Sequence, residues 1–144
     1  MDHRPAMKED PRTNRPLRIL VADDEHGIAD CLASFLVLCR REVQVAYDGL
    51  EAIRLARGFI PHVAVLDINM PGLDGYSVAR QMRQDPILKG TKLVALSAWS
   101  HEEHMRRCFE AGFDRQIVKP YGLHALSDLV DALVATNDGI IETG

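Results

Sequence analysis

Short apolar runs and longer stretches of helical period alternate along the chain. The first run, Leu17-Arg18-Ile19-Leu20-Val21-Ala22, stops at a cluster of acids. Ile28, Cys31, Leu32, Phe35 and Leu36 then recur three and four apart, the spacing of an amphipathic helix. Residues 42–46 read as a short, partly exposed strand near a sheet edge. Asp48 with Glu51 three positions later resembles a capping box, and Gly58 offers that helix an end. Val63-Ala64-Val65-Leu66 carries no polar position, as expected of a strand buried on both faces, and runs directly into Asp67. Asp74 caps a predicted helix that extends to about Gln84. Leu93-Val94-Ala95-Leu96 is the fourth strand and ends at Ser97. Ser100 and Glu103 form an S-x-x-E box opening a helix that Gly112 closes. Gln116-Ile117-Val118 is the last strand, and Leu123, Leu126, Leu129, Val130 and Leu133 give the final helix its apolar face.

Five alternations of strand and helix predict an α/β fold with a parallel sheet, because parallel neighbours need crossover connections that place helices on the faces. Right-handed crossovers leave few topologies. A doubly wound five-stranded sheet in the order 2-1-3-4-5, flavodoxin-like, fits best. The expected layout is a tail over residues 1–16, a domain over 17–136, and a second tail over 137–144 too short for an output domain.

Composition narrows the partners. Of 144 residues 47% are apolar, enough to bury a core without staples, and the net charge of −4 supplies no broad footprint for nucleic acid. Cys31, Cys39 and Cys108 show neither a CxxC nor a metal-ligand spacing, so reduced thiols in a cytoplasmic setting are expected. The first sixteen residues hold three prolines and no apolar run, which excludes a signal peptide there, and no segment is long enough to span a bilayer.

The chemistry collects after the strands. Asp23 and Asp24 follow the first, Asp67 the third, Ser97 the fourth and Lys119 the fifth. Parallel strands end on one side, so these groups converge on the carboxyl edge, where open α/β sheets place their sites. Three crowded carboxylates repel unless a cation sits among them. Hard oxygen ligands suit Mg²⁺, which favours phosphate as a further ligand. A carboxylate nucleophile, a metal, an ammonium group and a hydroxyl are what a transferable phosphoryl group requires.

Val21-Ala22-Asp23-Asp24-Glu25, Leu66-Asp67-Ile68-Asn69-Met70-Pro71-Gly72-Leu73-Asp74-Gly75, Leu96-Ser97-Ala98 and Val118-Lys119-Pro120 resemble the four blocks of the response-regulator receiver family, in order and over roughly Leu17 to Ala135. The likeness is to single-domain, chemotaxis-regulator-like members. It implies that Asp67 accepts a phosphoryl group from a phosphohistidine on a sensor histidine kinase or histidine phosphotransfer protein. It also implies that Asp23 and Asp24 hold Mg²⁺, aided by the Asp67 side chain and the Asn69 carbonyl. Lys119 would contact a phosphoryl oxygen, and its bond to Pro120 would be cis. Ser97 would turn toward the phosphoryl group, helped by the Ala98 N–H. Such a chain is a switch with at most slow autophosphatase activity, read by a downstream protein, without direct nucleic-acid or membrane contact, as a monomer or weak dimer.

Two positions depart from the family pattern or modify it. Gln116 stands where an aromatic residue is common, which points to a hydrogen-bonded output switch or a different surface. Trp99, the single tryptophan, is expected to cover part of the pocket and affect phosphoaspartate lifetime. Taken singly, Asp23-Asp24 would be helix caps, Asp67 a turn residue, Ser97 a solvated loop serine and Lys119 a surface charge; only their order reverses those readings. His101 and His104 are expected to be exposed, Cys31 and Cys39 to pack as small apolar groups, and Met70, Met82 and Met105 to act as filler. The competing functions are a degenerate receiver that only binds partners and a phosphohydrolase of the haloacid dehalogenase type. The latter's nucleophile belongs in a D-x-D loop after the first strand, where this chain has Asp23-Asp24-Glu25.

Overall fold

In a computed structural model, five parallel strands form one sheet with helices on both faces. Residues 9–10 and 15–139 are described, with 9–10 and 136–139 described by backbone course alone. Most of the expected tails, including residues 1–8, 11–14 and 140–144, lies outside the described residues. Glu9–Asp10 pairs antiparallel with Arg15–Pro16 in a two-residue ladder.

The sheet strands are β1 (Arg18–Ala22), β2 (Glu42–Ala46), β3 (Val63–Asp67), β4 (Lys92–Ser97) and β5 (Arg115–Val118). The helices are α1 (His26–Leu38), α2 (Gly49–Phe59), α3 (Gly75–Gln84), α4 (Glu102–Ala111) and α5 (Leu123–Gly139). The strand order β2-β1-β3-β4-β5 is the predicted one. No helix among the described residues is long and apolar enough to cross a membrane.

Every residue of β3 is buried, as its uninterrupted apolar run requires. The pleat sends Ala64 and Leu66 to one face, where they meet Ala52, Ala56, Val78, Met82 and Cys108. Val63 and Val65 face the other side, with Leu32 and Leu36 of α1 and Leu126 and Val130 of α5. Arg41, 3% exposed, donates to Ser127 Oγ at 2.8 Å and pairs with Asp131, tying the turn before β2 to α5.

Several local expectations shift. Gly58 lies inside α2, and the helix ends at Ile60 in the left-handed region, φ 49°. The Arg18 guanidinium explains the later stop, since it donates hydrogen bonds to the Phe59 and Ile60 carbonyls. The capping pair at Asp48 forms: its side chain accepts from Glu51 N at 2.8 Å, while Glu51 reaches back to Tyr47 N. Asp74 caps α3 through Ser77 N, and Gly112 closes α4 at φ 109°. The box at Ser100 does not form. His101 is the N-cap, Glu103 pairs with Arg106, and α4 opens at Glu102, which puts two acids in its first turn. Cys31 is exposed and Cys39 half-buried, because the inward stripe of α1 is Ala29, Leu32 and Leu36. Met70 and Met82 fill the core, whereas Met105 is exposed.

Candidate functional site

The strand ends deliver the expected groups to one edge. Asp23 is 1% exposed; its amide bonds Ala46 O, and its Oδ1 accepts from Glu25 N at 3.0 Å. Ile68 N donates to Leu96 O, and Lys119 N to Ser97 O at 2.7 Å, so the ends of β3, β4 and β5 are laced together. Gly75 holds the loop after β3 close: a Cβ there would lie 2.6 Å from Asp67 O and 2.8 Å from Ile68 Cα. The Lys119–Pro120 bond is cis, as the resemblance implies.

Carboxylate oxygens of Asp23, Asp24 and Asp67 all lie within 4.8 Å of one another. Lys119 Nζ donates to Asp67 Oδ1 at 3.0 Å and stands 3.9 Å from Asp23 Oδ2. That Asp23 oxygen is buried and accepts no hydrogen bond among the described residues. Burial pushes the Asp67 carboxyl up to about 6; the Lys119 bond opposes this, and the Asp23 charge adds to it. Nearby Tyr121 is pushed up to about 12, first by burial and then by Asp23 and Asp67. One ammonium thus faces three acids, one with an orphaned oxygen. A hard divalent cation satisfies that set, so these residues fit Mg²⁺.

A model of the response regulator receiver domain matches residues 19–131. The chain belongs to that family. The receiver is 40% identical over 117 residues to the transcriptional regulatory protein PrrA of Mycobacterium tuberculosis, covering 81% of this chain and 49% of PrrA. The chain spans about half the length of the curated relatives it matches. Among solved structures it resembles the receiver domain of the Francisella response regulator 1452, with TM-score 0.77 and 31% identity, covering 83% of this chain and 97% of that one. The receiver domain of the sensor histidine kinase PA1611 from Pseudomonas aeruginosa shares the fold at TM-score 0.77 and 23% identity, over 84% and 99% of the two chains. That protein has a magnesium ion coordinated in its active-site cleft. The family assignment displaces the dehalogenase-type alternative.

The remaining expected residues of this receiver sit nearby in differing states. Asn69 is exposed, and its backbone bond to the Asp67 carboxylate lowers that carboxyl's proton affinity. Ala98 is exposed beside Ser97. Ser97 is buried, with its hydroxyl bonded to Trp99 N at 2.9 Å, Trp99 O at 3.1 Å and His104 Nε2 at 2.6 Å. His104, expected at the surface, is 5% exposed and also meets the Tyr76 hydroxyl through Nδ1 at 2.6 Å. Burial, then the charges of His101 and Arg107, lower its proton affinity. Trp99 is half exposed and joins Ile68, Asn69, Tyr76, His101 and His104 around a cavity of about 320 Å³. The sequence did carry a signal for His104. With Cys108 and Ala111 it makes an i, i+4, i+7 stripe, and those three are the buried face of α4.

Proposed function

We propose that this receiver is a phosphorylation switch whose acceptor is Asp67. The donor is a phosphohistidine on a sensor histidine kinase or phosphotransfer protein in the cytoplasm. The observation that carries this reading is the 3.0 Å bond from Lys119 Nζ to a buried carboxylate that two further acids crowd. An Asp67 carboxylate oxygen forms a bond to phosphorus while the phosphorus–nitrogen bond of the donor breaks, its electron pair staying on the imidazole. Mg²⁺, held by Asp23, Asp24, the Asp67 side chain and the Asn69 carbonyl, would neutralise charge on the acids and the phosphoryl oxygens. Lys119 orients Asp67 before transfer and pairs with a phosphoryl oxygen after it. Ser97 and the Ala98 N–H donate to the other oxygens. The acyl phosphate then hydrolyses slowly, and a downstream protein reads the changed surface, with the chain acting as a monomer or weak dimer.

Acetyl phosphate with Mg²⁺ tests the reading by intact mass. The parent gains one phosphoryl group, and Asp67→Asn or an excess of chelator removes the gain. An unmodified parent under these conditions would leave a partner-binding module as the better account.

A further inference from the structure

Ser97 is not free to serve the phosphoryl site. Its hydroxyl carries one proton and makes three contacts, the shortest to His104 Nε2 at 2.6 Å. The Trp99 N–H already donates to that oxygen, and the Ser97 proton is directed at Trp99 O. With the Ser97 proton on Trp99 O, His104 donates from Nε2 and accepts the Tyr76 hydroxyl proton at Nδ1. The opposite tautomer would turn the Tyr76 proton to the Cys108 thiol, its other side-chain partner and a much weaker acceptor than an imidazole nitrogen. Gln116 Nε2 closes the line by donating to the same Trp99 carbonyl at 2.7 Å. A continuous chain of hydrogen bonds thus runs from Tyr76 on α3 through α4 and Ser97 to Gln116 on β5.

We propose that His104 is a positioning residue that holds Ser97 in its resting place, and that the Tyr76–His104–Ser97 line carries the arrival of a phosphoryl group to α3 and α4. This rests on the function proposed above, in which Ser97 moves to a phosphoryl oxygen on Asp67. That movement breaks the His104 bond and leaves the buried Nε2–H only the Cys108 sulfur at 3.6 Å, a weak acceptor, so the ring and the first turn of α4 must readjust. At the other end, the Trp99 carbonyl keeps Gln116 but loses Ser97, so β5 registers the same event. Position 116 takes part by hydrogen bonding, and no ring is needed there. The neutral state of the imidazole, favoured by its burial and by neighbouring cations, suits this single-donor role.

The test uses the whole chain with ¹⁵N-labelled histidine, read by long-range proton–nitrogen spectra with Mg²⁺, before and after beryllofluoride as the phosphoryl mimic. The His104 signal, assigned by its loss in His104→Gln, is expected to show protonated Nε2 at rest and to move on addition. A resting ring protonated at Nδ1, or one unmoved by beryllofluoride, overturns the proposal. Binding of beryllofluoride, followed by Trp99 fluorescence, gives a second reading. His104→Phe frees Ser97 and tightens binding by about fivefold, the population shift of one hydrogen bond. His104→Gln keeps a donor and stays near the parent, and in a Ser97→Ala background the phenylalanine has no effect. Weakened binding in His104→Phe that persists without Ser97 would mark a merely structural histidine and sink the idea. Intact mass with acetyl phosphate separates the two claims. No mass gain removes both, whereas a gain with an unmoved His104 removes only this one.

Discussion

Two clusters of basic and acidic side chains sit at opposite ends of the same strands and are built to opposite standards. At the amino end of β4 and β5, Arg83 donates to the carbonyls of Gly112, Lys89 and Thr91 at 2.9, 2.9 and 2.6 Å and to Asp114 at 2.7 Å. The same Asp114 oxygen accepts Leu93 N at 2.8 Å. One guanidinium meets one carboxylate, and the surplus donors find carbonyls. At the carboxyl end, among the described residues, a single ammonium faces three carboxylates, and Asp23 Oδ2 is buried with no donor. The first arrangement closes on itself and stabilises. The second is incomplete as protein alone, with room in its charge balance for a cation and a phosphoryl group. Unsatisfied polarity at a buried strand end is thus a mark of the site, since stability would be served better by removing it.

Exchanging the basic residue at each end sharpens the contrast. Lys119→Met is expected to slow phosphoryl uptake from acetyl phosphate by about 100-fold, the usual loss when one charge-stabilising donor is removed. Arg83→Met is expected to leave uptake within about twofold while lowering unfolding free energy by about 2 kcal/mol, because three carbonyls and a carboxylate lose a shared donor. Urea titrations and intact-mass time courses on both variants check the pair. Equal effects on uptake would erase the distinction.

Asp67→Asn reverses the usual sign of a mutation. Burial raises the Asp67 carboxyl from 3.8 to about 6, so the folded chain binds that proton more tightly than the unfolded chain does. The parent therefore loses stability as pH rises from about 4 to about 6 and carries the full deficit above it. Without Mg²⁺ at neutral pH, the variant is expected to be more stable by about 1 to 2 kcal/mol, the loss of the Lys119 bond offsetting part of the gain. The gap closes as pH falls toward 4. Thermal melts across that range, without metal, check the sign. A destabilised variant at neutral pH would mean that the Lys119 bond outweighs desolvation and crowding.

What the sequence disclosed, and what it hid, follow the same division. Asp23, Asp24, Asp67, Ser97 and Lys119 were legible because parallel strands end on one edge, so position after a strand fixes their meeting place. The Val63–Leu66 run left one reading for β3. Local signals misled where distant groups decide the outcome. The end of α2 moves from Gly58 to Ile60 because Arg18, forty-two residues away, satisfies the carbonyls there. His104 looked exposed because the Ser100 box put the start of α4 too early, and the stripe it makes with Cys108 and Ala111 is short. Its partners Tyr76 and Ser97 lie on other elements, and no spacing rule connects the three.

The smallest expected effect tests how far the incomplete end is open to water. Trp99 is 51% exposed, and its ring meets the His101 ring edge-on, centroids 6.0 Å apart. Its backbone, by contrast, is fixed by Ser97 and Gln116. Replacing it with alanine therefore removes a loosely held cover while keeping the backbone that positions Ser97. The phosphoaspartate is expected to decay faster by about threefold, equivalent to about 0.65 kcal/mol of barrier. Phosphoryl uptake and melting temperature should stay near the parent's. Decay of the acyl phosphate, followed by intact mass after the donor is removed, supplies the number. Identical decay in both proteins would show that the indole shields nothing, leaving water access to be set by Asn69 and the loop after β3.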